Sequence, residues 1–120
     1  MQKFPVDWDS KTKIEFLQRK VILNSIAYYE FDTNFLSDKE YDSISKQLVE
    51  LCREYGDVRD TQYGYAMADF DGSTGFDIFG RLTDSDREYL IQLVRHQIRM
   101  GGRGGGVVAN SRGRKNSPRR

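Results

Sequence analysis

Residues 27–42 of the chain read AYYEFDTNFLSDKEYD: a tyrosine pair, a short break and a second cluster of acidic and aromatic residues. The run SDKE at residues 37–40 is a capping box. In it the hydroxyl of Ser37 accepts from the amide of Glu40, and the carboxylate of Glu40 accepts from the amide of Ser37. A helix is therefore predicted to begin at Asp38, directly after the break.

Aromatic and acidic side chains flank the break on both sides. Tyr28 and Tyr29 fall in the last turn of the preceding helix, while Asp38, Tyr41 and Asp42 share one face of the following helix through their i, i+3, i+4 spacing. An ordinary hairpin explains each residue singly. The helix macrodipole stabilises acidic side chains near a helix N-terminus, and a tyrosine can be half-buried in the core. The combination also suits a binding site, with rings on one side and carboxylates on the other.

The flanking sequence predicts two helices joined by five or six residues, which favours an antiparallel helical hairpin. The first covers about residues 11–31 after a cap at Asp9 or Ser10, and the second covers about residues 38–55, with Gly56 placed for a left-handed cap. Apolar positions at three- and four-residue steps define the buried faces. They are Ile14, Leu17, Val21, Ile22, Ser25 and Tyr28 in the first helix, and Tyr41, Ile44, Leu48, Leu51 and Tyr55 in the second.

Residues 57–82 change character, because aromatic residues alternate with glycines. Residues 65–70 and 76–79, around a five-residue turn, predict either a β-hairpin or an irregular loop whose aromatic side chains cover the helices. Thr83 caps a third predicted helix, which ends near residue 99 before two glycines. The expected fold class is mainly α: an antiparallel hairpin and a third helix, with the aromatic, glycine-rich segment between helices two and three.

The chain divides into an acidic body and a basic tail. Residues 101–120 hold six basic side chains and no acidic one, whereas residues 1–100 hold 13 basic and 18 acidic, a net charge of −5. We expect a single helical domain in residues 1–100 and a disordered Gly/Arg tail in residues 101–120. The tail is either simply solvated or contacts nucleic-acid phosphates without sequence preference. Its basic residues are Arg103, Arg112, Arg114, Lys115, Arg119 and Arg120.

Composition excludes several classes of protein. No run of eighteen apolar residues is present, so no membrane span is expected. One cysteine and one histidine cannot build a Cys/His zinc site, and a reducing, cytoplasmic setting is the default expectation. Asp69, Asp71 and Asp77 are spaced like cation ligands, but the twelve-residue calcium-loop pattern is missing, so no metal site is predicted.

The stretch around the break resembles the N-terminal domain of bacterial NAD-dependent DNA ligases, a small helical hairpin that recognises the nicotinamide mononucleotide half of NAD. That family carries a Tyr-Tyr or Tyr-His pair, an Asp, and then Ser-Asp-x-Glu-Tyr-Asp. Residues 37–42 match that last motif without a gap, and residues 12–56 carry the resemblance. Asn34 stands where the family usually has proline. The resemblance implies ligand contacts at Tyr28, Tyr29, Asp38, Tyr41 and Asp42.

The resemblance does not extend to catalysis. Ligases of this family form a lysyl-adenylate on a Lys-x-Asp-Gly motif in a separate domain, and residues 69–72 of this chain read DFDG, with an acid in place of that lysine. No enzymatic activity is therefore expected. The resemblance implies a stand-alone binding protein for NAD or nicotinamide mononucleotide, similar to small products of phage or mobile-element genomes, with no cofactor required.

A second hypothesis treats the hairpin as a reused scaffold. The protein would then be a phage or mobile-element interaction protein, such as a counter-defence inhibitor of a host nucleic-acid enzyme like a CRISPR nuclease. Its acidic body would compete with nucleic acid for a basic channel, since complementary charge speeds encounter and favours the right partner.

Overall fold

Five α-helices and one 3₁₀ turn make up the secondary structure in this computed structural model, which describes residues 2–72 and 77–104, with side chains through residue 100. The elements are α1 (Ser10–Phe31), α2 (Asp38–Tyr55), the 3₁₀ turn (Val58–Asp60), α3 (Gly64–Met67), α4 (Ile78–Arg81) and α5 (Asp84–Gly104). No strand occurs among the described residues. The prediction of a mainly α fold is confirmed.

Local capping sets both ends of α1. The carboxylate of Asp9 accepts from the amide of Thr12 at 2.9 Å, and this N-cap was one of the two predicted. At the other end Asp32 adopts the left-handed conformation, with φ 56° and ψ 42°. The amides of Asp32 and Thr33 both donate to the carbonyl of Ala27. Asp is among the few residue types that tolerate this conformation, so α1 stops without a glycine.

The capping box predicted for α2 is present in full. The amide of Glu40 donates to the hydroxyl of Ser37 at 3.1 Å, and the amide of Ser37 donates to the carboxylate of Glu40 at 2.9 Å. The helix ends at Tyr55 as predicted. Gly56 has φ 100° and ψ −119°, outside the left-handed helical region, so the predicted left-handed cap is wrong in its geometry although φ is positive.

Helix α1 lies at the centre of the molecule and packs against α2, α4 and α5. Its apolar side chains are buried on more than one side, and the fully buried ones are Ile14, Leu17, Val21, Ile22, Ile26 and Ala27. Helix α2 buries one stripe, at Ile44 and Leu48, and α5 buries Leu90 and Val94. Tyr28, predicted on the buried face of α1, is 42% exposed.

The side chain of Asn24 fixes the connection between α1 and α2. Asn24 is buried within α1, and its side-chain oxygen accepts from the amide of Phe35 at 2.8 Å and from the amide of Leu36 at 3.0 Å. Two loop amides that leave solvent therefore gain one shared acceptor. This arrangement fixes where α2 begins relative to the last turns of α1.

Residues 57–82 contain neither of the two predicted arrangements in simple form. The β-hairpin alternative is wrong for the described residues, because half of its first proposed strand lies in α3 and its second overlaps α4. Residues 73–76, which cover most of the proposed turn and the first residue of the second proposed strand, lie outside the described residues. The chain follows short helical turns instead, because Gln18 of α1 supplies partners from the interior: it donates to the hydroxyl of Thr61 at 2.9 Å and accepts from the amide of Tyr63 at 3.3 Å.

Helix α5 begins as predicted and extends further. The hydroxyl of Thr83 accepts from the amide of Asp86 at 3.1 Å. The predicted stop at residues 101–102 is wrong, because α5 continues to Gly104. Residues 105–120, most of the predicted disordered tail, lie outside the described residues. No helix in the described part of the chain is long and apolar enough to cross a membrane.

Residues 2–9, here called the N-terminal strap, contact both α1 and α2. The backbone amide of Gln2 donates to the side-chain oxygen of Gln47, and the side-chain nitrogen of Gln47 donates to the carbonyl of Gln2, both at 3.0 Å. The rings of Phe4 and Trp8 pack against the ring of Phe16 with centroids 6.0 and 5.6 Å away. The strap is thereby attached to both α1 and α2.

Candidate functional site

A cleft of about 200 Å³ opens where the end of α1 meets the start of α2. We call it the tyrosine cleft, after three of its lining residues. The seven residues that line it are Asn24, Ser25, Tyr28, Tyr29, Asn34, Asp38 and Tyr41. Four of the five contacts implied by the ligase resemblance are among them. Residues from the end of α1, the connecting loop and the start of α2 thus border one opening.

The tyrosine pair forms an aromatic corner at one wall of the cleft. The ring centroids of Tyr28 and Tyr29 are 4.8 Å apart, and the ring planes meet at 85°. This edge-to-face arrangement is a favoured geometry for aromatic pairs. Tyr28 is 42% exposed, so its ring offers apolar surface to a flat ligand in the folded protein.

Tyr41 and Asp38 line the cleft from α2. They lie three residues apart on α2, in its first turn, so both side chains project on one side of the helix. Tyr41 is half-buried, and this burial raises the pKa of its phenol. Tyr41 is therefore a neutral hydroxyl at neutral pH, able both to donate and to accept. Asp38 is exposed, so it brings an accessible carboxylate to the rim.

Asp42, the fifth contact implied by the resemblance, does not line the cleft. Its carboxylate lies 3.2 Å from the ammonium of Lys46 one turn later on α2, and its side chain is 62% exposed. The structure therefore brings Tyr28, Tyr29, Asp38 and Tyr41 together and leaves Asp42 beside them, in a surface ion pair.

Three lining residues were missed by reasoning from the sequence: Asn24, Ser25 and Asn34. A signal for the first two was present. Polar residues at 24 and 25 interrupt the apolar run of α1, and they lie three and four positions before Tyr28, on the same face. Asn34 lies in the connecting loop, where periodicity gives no information. Its placement depends on the bonds that Asn24 makes to the next two loop residues.

The lining is rich in hydrogen-bonding groups and carries one negative charge. Three phenols, two carboxamides, one hydroxyl and one carboxylate border the cleft, and none of its described lining residues is Lys, Arg or His. Such a site favours a ligand with a flat ring, hydroxyl donors and a positive charge. It does not favour an anion, because no positive side chain faces one.

Other candidate groups lie elsewhere. The carboxylate of Asp69 pairs with Arg81 at 2.7 Å, and no group of three metal-binding side chains is found within residues 2–72 and 77–100. The thiol of Cys52 is half-buried, and burial raises its pKa, which disfavours the reactive thiolate. Of the six basic tail residues, Arg103 lies in the last turn of α5, and the other five fall outside the described residues.

Comparisons of the chain with protein-family models, with curated proteins and with solved structures found no match. A hypothesis about function therefore depends on the sequence motif around the loop between α1 and α2, and on the geometry of the tyrosine cleft.

Proposed function

We propose that this protein is a non-catalytic binding module for the nicotinamide half of NAD or of nicotinamide mononucleotide, held in the tyrosine cleft. The observation that supports this most is the shared location of Tyr28, Tyr29, Asp38 and Tyr41 around one opening. Packing of two helices in a hairpin does not by itself require these four side chains to line the same cleft.

The chemistry of the cleft suits a pyridinium riboside. The nicotinamide ring is flat and cationic in its oxidised form, so a tyrosine face attracts it by stacking and by a cation–π interaction. Ribose hydroxyls donate to the Asp38 carboxylate, and such charge-assisted bonds are stronger than neutral ones. The phenol of Tyr41 adds a further polar group to the lining.

The size of the cleft limits which part of the ligand it holds. Its volume of about 200 Å³ is below the ~300–1,000 Å³ of pockets that enclose a drug-sized molecule. A ring and a sugar fit this scale better than a whole dinucleotide. The phosphate would extend into solvent, away from Asp38. We therefore expect nicotinamide riboside and nicotinamide mononucleotide to bind with similar affinity.

No chemistry on the ligand is proposed. The lysine nucleophile of the ligase motif is replaced by Asp69, whose carboxylate is paired with Arg81. Without that nucleophile the family's covalent nucleotide intermediate cannot form. Binding alone, or presentation of the bound ligand to a partner protein, is the proposed activity.

Calorimetric titration with nicotinamide mononucleotide tests the proposal. Asp38→Asn keeps the size of the side chain and removes its charge, so it should weaken binding by about 1.5 kcal/mol, roughly ten-fold. Glu50→Gln, a matched change in α2 that affects only the surface pair with Arg53, should leave the affinity unchanged. NADH, whose nicotinamide ring is neutral, should bind less tightly than NAD because the cation–π attraction is lost.

Two results would contradict this function. One is failure of all three ligands to bind, and the other is an Asp38→Asn variant that binds as well as the parent while circular dichroism shows intact helices. The interaction-protein hypothesis would then take its place. It depends on the net charge of −5 in residues 1–100, which suits a basic partner surface such as a nucleic-acid channel.

A further inference from the structure

A second and larger cleft, of about 350 Å³, lies beneath the N-terminal strap. We call it the strap cleft. Gln2 of the strap forms one edge, and Leu36 and Ile44 contribute apolar surface. The strap is held there by the paired bonds between Gln2 and Gln47, both 3.0 Å long. The cleft is thus bordered by four parts of the chain: the strap, α1, the loop between α1 and α2, and the beginning of α2.

The strap cleft and the tyrosine cleft share no lining residue. Residues 39, 40, 43 and 44 border the strap cleft, whereas residues 38 and 41 border the tyrosine cleft. At 3.6 residues per turn Asp38 projects roughly opposite to Glu40 and Ser43. Tyr41 and Ile44 are neighbours on the core-facing side of α2. The exposed side chains that α2 contributes to the two clefts are therefore separate sets.

The two clefts also differ in charge. Lys20 of α1 and Lys39 of α2 both border the strap cleft. Within the described part of the chain neither lysine makes an ion pair. The ammonium of Lys20 lies 5.5 Å from the ring centroid of Phe16, a cation–π contact that leaves its N–H donors available. Two positive groups from different helices thus border one concave surface.

One carboxylate opposes them, and it is already engaged. Glu40 borders the strap cleft, but its side-chain oxygen accepts from the amide of Ser37 at 2.9 Å as part of the capping box. The hydroxyl of Ser43, one turn further along α2, adds a neutral donor to the same surface. Counting only charges at the cleft, two are positive and one is negative.

We propose that the strap cleft binds a small phosphate dianion through Lys20, Lys39 and Ser43. Lysine binds phosphate as a point charge, and two lysines with one hydroxyl match the three terminal oxygens of a phosphate group. The shared chemistry is that of inorganic phosphate and of a nucleotide phosphomonoester. This site is independent of the proposed nicotinamide site, because the tyrosine cleft has no positive side chain among its lining residues.

The test is a titration of the full chain with inorganic phosphate at low ionic strength, followed by amide chemical shifts. The amides of Lys39 and Ser43 should shift in a saturable manner, while those of Tyr28 and Tyr41 stay unchanged. Lys20→Gln and Lys39→Gln should each weaken binding about two- to five-fold, the range for an exposed charge pair. Glu40→Gln keeps an acceptor for the capping box and should strengthen binding by a similar factor.

Lys46→Gln is the matched control on α2. Lys46 lies 3.2 Å from Asp42, its side chain is 75% exposed, and it does not border the strap cleft. Its loss should leave the phosphate affinity unchanged. An effect of Lys46→Gln as large as that of Lys39→Gln would overturn the site, since attraction would then be spread over the surface. So would shifts at Lys39 and Ser43 that never saturate.

Adenosine monophosphate and adenosine distinguish the two sources of phosphate. Equal affinities for adenosine monophosphate and inorganic phosphate would support a site for the free anion. Tighter binding of adenosine monophosphate, with adenosine inactive, would support a nucleotide phosphomonoester. Adenosine that binds as tightly as its monophosphate would overturn the proposal, because the phosphate would then contribute nothing. Circular dichroism of each variant identifies any loss that comes from unfolding.

Discussion

At the scale of single residues, Tyr41 belongs both to the tyrosine cleft and to the packing between α1 and α2. Its half-buried phenol has a raised pKa because burial disfavours the phenolate. A group whose pKa is higher in the folded state contributes full stability below its unfolded pKa. That contribution is lost as the pH rises through and above that value.

We therefore predict that the free energy of unfolding falls as the pH rises above 10.0, the ordinary pKa of tyrosine. Tyr41→Phe should make that fall less steep, because one of the ionisations that favour unfolding is removed. Burial also raises the pKa of Tyr63, so part of the fall should remain. Urea unfolding at several pH values from 8 to 11 measures the slope. Tyr89→Phe, at a side chain that is 56% exposed, is the control. An identical slope in parent and Tyr41→Phe would contradict the account.

The residues of the cleft were predictable only in part. Tyr28, Tyr29, Asp38 and Tyr41 carry the motif: the first two are adjacent in the sequence, and the last two share a face of α2. Asn24 was not predicted because its role is to bind the backbone of Phe35 and Leu36, eleven and twelve residues away. No periodic pattern encodes such a bond. Asp42 shares a helix face with Asp38 but forms an ion pair with Lys46. Helical spacing alone does not predict which of these neighbours its carboxylate contacts.

At the scale of elements, the link between α1 and α2 depends on one buried carboxamide. Asn24→Ala removes the acceptor of two amides, and that of Leu36 is buried. We predict a loss of about 1–3 kcal/mol in the free energy of unfolding, the cost of leaving buried donors unpaired. Gln92→Ala in α5 removes a carboxamide whose contact, with Glu88, is on the surface, so it should cost less than about 0.5 kcal/mol. Urea unfolding compares the two. Losses of equal size would show that Asn24 does not fix the loop.

The helix starts were predictable and some of the helix ends were not. Asp9, Ser37 and Thr83 each bond to an amide three residues later, so the signal for a start lies within one turn. Helix α5 passes through Gly101 and Gly102, because a glycine permits a stop without imposing one. The short helices of residues 57–82 depend on Gln18, more than forty positions away, which no local pattern reports.

At the scale of the whole molecule, residues 58–67 pack closely against themselves and against α1. A Cβ atom on Gly64 would lie 1.9 Å from the carbonyl oxygen of Val58 and 2.7 Å from the hydroxyl of Thr61. Neither the 3₁₀ turn nor α3 can hold its position with a larger residue there. The same segment delivers Tyr63, which is 1% exposed, to the core.

We predict that Gly64→Ala lowers the free energy of unfolding by more than about 2 kcal/mol, because the backbone must move to relieve the contact. Gly80→Ala is a matched control, since nothing lies within 4 Å of a Cβ atom at Gly80. In the short helix α4 that change should be neutral or stabilising by up to about 1 kcal/mol. Thermal unfolding of the two variants gives the comparison. A Gly64→Ala protein as stable as the parent would contradict the close approach.

The central position of α1 has a consequence for modularity. Residues 12–56, the part that resembles a ligase hairpin, contain α2 but not α4 or α5, and α1 packs against all three. A piece cut at those borders would expose apolar side chains of α1 that α4 and α5 now cover. Such a piece would lack part of its own core, whereas the repeats of a solenoid depend only on their neighbours. We therefore expect the whole helical body, and not residues 12–56 alone, to be the unit that folds, with the tyrosine cleft as a local feature of its surface.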